Sequence, residues 1–262
     1  MKLIIASDDD SAAKNISGHL FNLFNFEKSE DSKLYTCGEV GFTKMSGSVL
    51  QLRDIPFPAE ELIVASKHTS ESGNPSLTAH VPGDPDRKEI GVAAPATLAA
   101  AIRELFVARD EFGLDYDVSF EATHHGPTGL DVPVTFVEIG STAREWRDPK
   151  AGEAVARAIM KAAQEPLNGV NAVGFGGTHY ARRHTDVVLR TGVRIGHIFP
   201  KYIQLNEELA KLAVKRTKSG AGVFALDWKG LNGSQRALIG EIGQILGVKV
   251  VRERDILAGK GF

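Results

Sequence analysis

The stretch SFEATHHGPTG, residues 119–129, sets Glu121, His124 and His125 within five residues and then breaks the chain at Gly126-Pro127. A carboxylate and two imidazoles are the groups that hold zinc or relay protons. On a straight strand neighbouring side chains point to opposite faces, so both imidazoles reach one partner only if the chain turns at Gly126-Pro127. The competing reading is a solvated turn. Of eight histidines, only His19 falls inside a predicted helix. His68, His80, His124, His125, His179, His184 and His197 fall in segments read as loops or strand ends. Each alone reads as an ordinary imidazole; as a set they point to one shared cleft. His179 and His184, five apart, do not share a helical face, and no HExxH signature is present, so a metal-free site with histidine as general base stays open. GFGGTHYARR, residues 174–183, is a glycine run whose amides suit a phosphate or carboxylate, or which permits close backbone packing. Arg182, Arg183 and Lys201 are candidate phosphate contacts, with exposed solvated charge as the alternative. No GxSxG elbow is present; Ser66, Ser70 and Ser72 are nucleophiles without supporting context.

The elements that must position these groups alternate. KLIIAS reads as a buried first strand, followed by a helix from Ser11 to about Phe24. Residues 48–53 and 61–66 read as strands separated by PFP. Residues 67–93, rich in Gly, Pro, Ser, Thr and His, lack a periodic pattern and read as a functional or mobile span. Residues 95–110 form an amphipathic helix opened by proline. DVSFEAT and VPVTFVEIG are strands around the HHGP break, and Asp148 and Pro149 cap and start the next helix. NAVGFGG, VRIGHIF, GVFALDW and VKVVRE are strands. NEELAKLAVKRT and GSQRALIGEIGQIL are helices, the former with acids first and bases last. This order predicts an α/β fold: one domain over residues 1–262, its mostly parallel or mixed central sheet covered by helices on both faces. Ligands then sit beyond the carboxyl ends of the strands, where the histidine segments gather.

Composition sets the bounds. The 262 residues are 42% hydrophobic and 24% charged, the balance of a globular chain. No apolar run is long enough to cross a membrane, and the N-terminus does not read as a signal peptide. The single cysteine, Cys37, allows no intrachain disulfide and no cysteine-based zinc site, which fits the cytoplasm. Net charge is −2, yet residues 1–150 hold 14 Lys and Arg against 24 Asp and Glu, and the remainder is correspondingly basic. Such asymmetry can mark a polyanion-binding face, unless folding interleaves the halves.

The strings KHTSESG, TAHVPGD, EATHHGPTGLDVPVTFVEIGS, AGEAVA, GFGGTHYARR, GHIFPKY and DWKG, in that order over nearly the whole chain, resemble the archaeal and plant type of D-aminoacyl-tRNA deacylase. The resemblance implies hydrolysis of the ester of D-aminoacyl-tRNA, releasing D-amino acid and tRNA as chirality proofreading. It also implies a zinc requirement and a fold like the phosphorylase/peptidyl-tRNA hydrolase group. The family's histidines fall on His68, His80, His124, His125, His179 and His197; His19 and His184 match no motif. Thr178 stands where a further glycine is expected, and Arg182 where proline is. The motifs leave open which histidines hold metal. The expectation adopted puts His68, Glu121 and His125 at the chemistry, His80, His124 and His179 on zinc, and Gly176, Gly177, Arg182, Arg183 and Lys201 on the substrate. The partner is then tRNA, met by a monomer with no protein partner implied. Two other classes are weighed: a metal-dependent peptidase or amidohydrolase, which needs no basic flank, and a non-enzymatic RNA-binding module, for which 7% aromatic residues is poor.

Overall fold

The computed structural model describes residues 1–31, 33–165 and 167–260. Fourteen strands are described: β1 Lys2–Ser7, β2 Glu27–Lys28, β3 Leu34–Cys37, β4 Val40–Met45, β5 Glu61–Lys67, β6 Ser76–His80, β7 Gly83–Asp84, β8 Glu89–Ile90, β9 Asp117–Phe120, β10 Val134–Gly140, β11 Val170–Phe175, β12 Val193–Phe199, β13 Val223–Leu226 and β14 Lys249–Arg252. The helices are α1 Ser11–Leu23, α2 Pro95–Phe112, α3 Pro149–Gln164, α4 Arg182–Arg190, α5 Glu207–Lys215, α6 Gly233–Leu246 and α7 Glu253–Leu257.

The α/β class and the mixed sheet are as expected, but twelve of the strands divide between two sheets, with β7 and β8 forming a separate hairpin. The larger runs β2-β3-β4-β1-β5-β10-β6-β9, and the smaller, all parallel, runs β12-β11-β13-β14. In the larger sheet β4, β1, β5 and β10 are parallel, whereas β6 lies antiparallel to β10. Its side chains alternate with the pleat. Ile4, Ala6, Ile63, Ala65, Val137 and Ile139 join α1, α2 and α3 in one core. Leu3, Ile5, Leu62, Val64, Val134 and Phe136 face the other way, against Val49, Leu52, Ile55 and Phe57. That second face is covered by an irregular segment, not by helices. The smaller sheet has helices on both faces: Val173, Phe175 and Phe224 meet α5 and α6, while Ala172 and Ala225 turn to the main core.

Two segments differ from the sequence reading. Residues 48–53 are not a strand; Val49–Gln51 is a short 3-10 turn capped by Ser48. Its carbonyl at Leu50 lies 2.5 Å from where a Cβ on Gly126 would stand, so the segment is a lid laid on the HHGP turn. The span 67–93 is not structureless; it contributes β6, buried in the larger sheet, and the β7–β8 hairpin. The polar Ser, Thr and His of SLTAH point to the site face, which erased the apolar signature of a central strand. The helix cap at Asp148 forms as read, and Asn206 caps α5 through a hydrogen bond from Leu209 N–H.

Candidate active site

The sheet face opposite the helices carries the site. By the same alternation that buries Leu62 and Val64, Ser66 of β5, Thr78 and His80 of β6, and Glu138 of β10 point to that face. Residues 120–123 stitch the two sheets together. Ala122 N–H donates to His179 O (2.8 Å), Thr123 N–H to Ile198 O (2.9 Å) and Ala181 N–H to Phe120 O (2.9 Å). The 176–181 loop of the smaller sheet is thereby folded over Glu121, bringing His179 and Tyr180 to a cluster built on the larger sheet. His125 adopts a positive φ of 42°, which turns the chain so that both adjacent imidazoles reach the same cluster. Their ring centroids are 4.2 Å apart.

Glu121, 1% exposed, is the centre. His179 Nε2 donates to its Oε2 at 2.9 Å, His124 Nε2 lies 3.4 Å from the same oxygen, and His68 Nδ1 lies 3.3 Å from Oε1. His80 Nε2 and His125 Nε2 face each other at 3.2 Å, and His68 Nε2 meets the Tyr180 hydroxyl at 2.7 Å. Ser66 donates to Glu138, whose other oxygen lies 3.7 Å from His68 Nδ1. The cluster opens into a cavity of about 670 Å³, lined among others by Ser7, Asp10, Ser48, Ser66, His68 and Glu138. Ser7 and Ser66 come from the carboxyl ends of the parallel strands β1 and β5, where a ligand site is expected.

Electrostatics divides these groups. Burial, reinforced by His124 and His125, drives the His80 imidazole well below its ordinary value. Burial and the adjacent His125 bring His124 to about 4. Burial also lowers His125 and, against the pull of Glu121, His68. Burial works to raise the Glu121 carboxyl, yet the hydrogen bond from His179 and the neighbouring His68 and His124 hold it below the ordinary carboxylate range. Glu138, buried beside that charge, is pushed well above it. One ionised carboxylate thus sits among neutral imidazoles, with a neutral carboxyl as neighbour; such a split between paired acids is how acid and base roles are separated.

The donor set suits a cation. His124 Nδ1 donates to Ala122 O and His125 Nδ1 to Gly126 O, each at 2.8 Å. Each ring is therefore fixed with its Nε2 lone pair inward, the orientation that metal-ligating histidines take from a backbone carbonyl. At His124 that lone pair faces the lone pairs of Glu121 Oε2. His80 Nδ1 and Glu121 Oε1 are buried with no hydrogen-bond partner among the described residues, a cost of a few kcal/mol each unless a ligand is met. Three groups have ligand atoms close enough to share an ion: His80, His124 and His125; Glu121, His124 and His179; and His68, Glu121 and Glu138.

Of the residues expected at the chemistry or on metal, His68, His80, Glu121, His124, His125 and His179 all meet in this cluster. The expected trio His80, His124 and His179 is not among the three ligand groups; His124 belongs to two of them, and His80 and His179 to one each. His197 lies apart, fully buried in β12, its ring near Thr123 Oγ1 (3.4 Å) and Arg216 O (3.3 Å). His184 is not in a loop but in α4, buried. Gly176, Gly177, Arg182, Arg183 and Lys201 line a second groove on the other side of Tyr180. Arg182 is exposed and donates to Asp117 at 2.6 Å, the pairing with an acid of the first half that the charge asymmetry left open. Sequence reasoning missed Glu138 and Tyr180. Glu138 was signalled: a carboxylate inside VTFVEIG can be buried only with partners. Tyr180 carried no such signal.

The family model described as D-aminoacyl-tRNA deacylase matches residues 56–251. Proteins named D-aminoacyl-tRNA deacylase are 38% identical in Methanosarcina mazei, over 99% of this chain and 94% of that one, and 36% identical in Aeropyrum pernix, over 95% and 99%. A crystal structure of a conserved protein of unknown function superposes with a TM-score of 0.91 at 30% identity, covering 100% of this chain and 98% of that one.

Proposed function

The chain belongs to the D-aminoacyl-tRNA deacylase family and hydrolyses the ester bond of D-aminoacyl-tRNA, and on that premise we propose that the hydrolysis takes place in the Glu121 cavity with zinc as cofactor. The observation that carries this is Glu121 itself, a buried carboxylate approached by His68, His124 and His179, three imidazoles that line a cavity of about 670 Å³. Glu121, His124 and His179 would hold the ion, the His179 ring carrying its proton on Nδ1 instead of Nε2 when it does so, so Glu121 takes the place first given to His80. Zinc so held would supply Lewis acidity and lower the pKa of a coordinated water.

The chain's own groups do the rest. His125, with its Nδ1 proton committed to Gly126 O, takes the proton of the attacking water at Nε2. It returns that proton to the ribose oxygen as the ester bond breaks, so the two transfers balance. His80 Nε2, 3.2 Å from that same His125 nitrogen, holds the ring until the attacking water takes its place. The neutral carboxyl of Glu138 and the Nδ1–H of His68 are the donors we assign to the carbonyl oxygen as it gains charge, a role for which a carboxyl held protonated is suited. Tyr180 fixes His68 from its other nitrogen. Asp9, at the cavity wall, is the anion we assign to the substrate's α-ammonium group; Asp10 beside it is committed to capping α1 and to Lys67 N–H. Hydrolysis of D-aminoacyl-tRNA by His125→Ala tests this. A loss of about a hundredfold or more, the low end for a general base, supports it; near-normal turnover by a folded variant removes the assignment.

A further inference from the structure

The second groove, about 420 Å³ and lined by the 176–183 segment with Lys201, Asp227 and Lys229, is not used by the chemistry above. Four features of it are out of place in an empty surface cleft. First, α4 starts with Arg182 and Arg183, has no acid in its first turn, and Ala181 at its N-cap offers no side-chain cap. Cations at a helix N-terminus oppose the macrodipole; Arg182 N–H is taken by Tyr180 O, while the Arg183 and His184 amides have no acceptor among the described residues. Second, Gly176 and Gly177 both take positive φ, 96° and 81°. Among the described residues neither Gly177 N–H nor Thr178 N–H has a backbone acceptor. A Cβ on Gly230 would clash with Gly177 N, so only glycine lets the two backbones pack together here. Third, Arg183, Lys201 and Lys229 are exposed and make no salt bridge among the described residues, whereas Arg182 holds Asp117. The one carboxylate in the groove, Asp227, is half-buried; its Oδ1 accepts from Gly230 N–H and its Oδ2 lies beside Gly177, so the exposed cations outnumber it three to one.

Fourth, and independent of the helix end, His184 is 1% exposed, lines the groove, and has both ring nitrogens without a hydrogen-bond partner among the described residues. The carbonyls of Phe175 and Gly176 are near enough to influence it but make no hydrogen bond of ordinary geometry. Its ring lies flat over Gly174, with Nε2 3.1 Å from where a Cβ would stand, so β11 was kept bare to seat it. A buried imidazole with both polar atoms idle is costly unless a ligand meets one of them.

We infer that this groove binds a backbone phosphate of the single-stranded 3′ end of the tRNA, held by the Gly177 and Thr178 amides, the α4 N-terminus, His184, Arg183 and Lys229. The placement fits. Thr178 in the groove adjoins His179 in the catalytic cavity, so the two sites share the 176–183 segment as a common wall. A strand whose terminal ester sits in the cavity can lay a nearby phosphodiester here. The inference rests on the proposed reaction and adds the anchor for its substrate.

The test compares two D-amino acid esters: one on adenosine, without phosphate, and one on the trinucleotide CCA, which carries the backbone phosphates. Both are assayed with the wild type and with Arg183→Gln/Lys229→Gln. In the wild type KM is expected to be at least about tenfold lower for the CCA ester, the worth of one charge-assisted contact. In the double variant that KM advantage shrinks to about threefold or less, with kcat on the CCA ester kept within about twofold, because the contact is made equally in ground and transition states. Inorganic phosphate competes with the CCA ester in the wild type. His184→Leu removes the same advantage while His184→Gln, which keeps a donor, restores part of it, at matched melting temperatures. An unchanged KM ratio in the surface double variant, which does not disturb the core, overturns the inference. Phosphate competition that persists in the double variant overturns it too, by locating the anion elsewhere. If the wild type hydrolyses neither ester nor D-aminoacyl-tRNA, it is the proposed reaction that fails.

Discussion

Replacing Glu121 by glutamine keeps the shape of the side chain and removes its charge. Oε2 accepts from His179 at 2.9 Å and faces His124 Nε2 at 3.4 Å, and Oε1 faces His68 Nδ1 at 3.3 Å. A hydrogen bond to a charged group contributes about 1.5–3 kcal/mol, which is about 10- to 150-fold in an equilibrium or rate. The amide also loses the anionic ligand for the proposed ion, and its NH₂ can face the very nitrogens that need an acceptor. The two losses together predict a fall in kcat/KM of at least about a hundredfold. Stability is expected to fall, because the site holds the Glu121 carboxyl below its ordinary range and so favours the charge that the amide lacks. The assay is single-turnover deacylation of D-aminoacyl-tRNA with enzyme in excess, read beside the melting temperature. A folded variant with kcat/KM within about threefold of normal would refute the reasoning, since Glu121 would then be a structural carboxylate only.

Three further outcomes are expected. Exhaustive chelation abolishes deacylation and added zinc restores it, since neutral imidazoles and a carboxylate match that ion; full activity in a preparation shown metal-free by elemental analysis contradicts this. His184 and His197 are fully buried at pKa values of about 4 against an ordinary 6.5. Below about pH 6.5 the unfolded chain therefore takes up protons that the folded chain refuses until about pH 4. Stability is whole above that window and is lost on acidification through it, by up to roughly 3 kcal/mol per histidine. Melting temperatures between pH 7 and 5 should show the fall and His197→Asn should flatten it; a pH-independent melting temperature counts against the buried neutral rings. Arg182, held by Asp117 at the surface, should contribute under about 1 kcal/mol to stability and little to the salt dependence of tRNA binding. Lys201→Gln should lower the log–log salt slope by about 0.7 if its phosphate is single-stranded and about 0.9 if it is duplex; equal effects of the two variants would show that Asp117 does not neutralise Arg182.

The parts of the fold that sequence made legible are those governed by short-range rules. Asp148-Pro149 start their helix where capping chemistry says they must, the acid-first, base-last segment forms α5, and the apolar runs at β1, β5, β11 and β13 are strands. The division into two sheets was not legible, because it depends on which strands pair across long separations. SLTAH and VLQ were misread for opposite reasons. The first is a central strand whose alternate residues serve the site. The second is an apolar segment that covers a sheet face without pairing to it. The site was legible as a set of residue types, EATHH with the other histidines, but not as a ligand arrangement. Glu121 and His179 meet only because residues 120–123 bridge the sheets, and His197, similar in motif to the rest, is turned to the far side of Thr123.

The most direct test of the central claim is an anomalous difference map at the zinc edge from a crystal soaked with zinc and a D-aminoacyl-adenosine analogue whose ester is replaced by an amide. The account predicts a peak bounded by Glu121, His124 and His179, with the analogue's carbonyl in the same cavity beside Glu138. A zinc peak elsewhere, or an analogue seated away from Glu121, would contradict it.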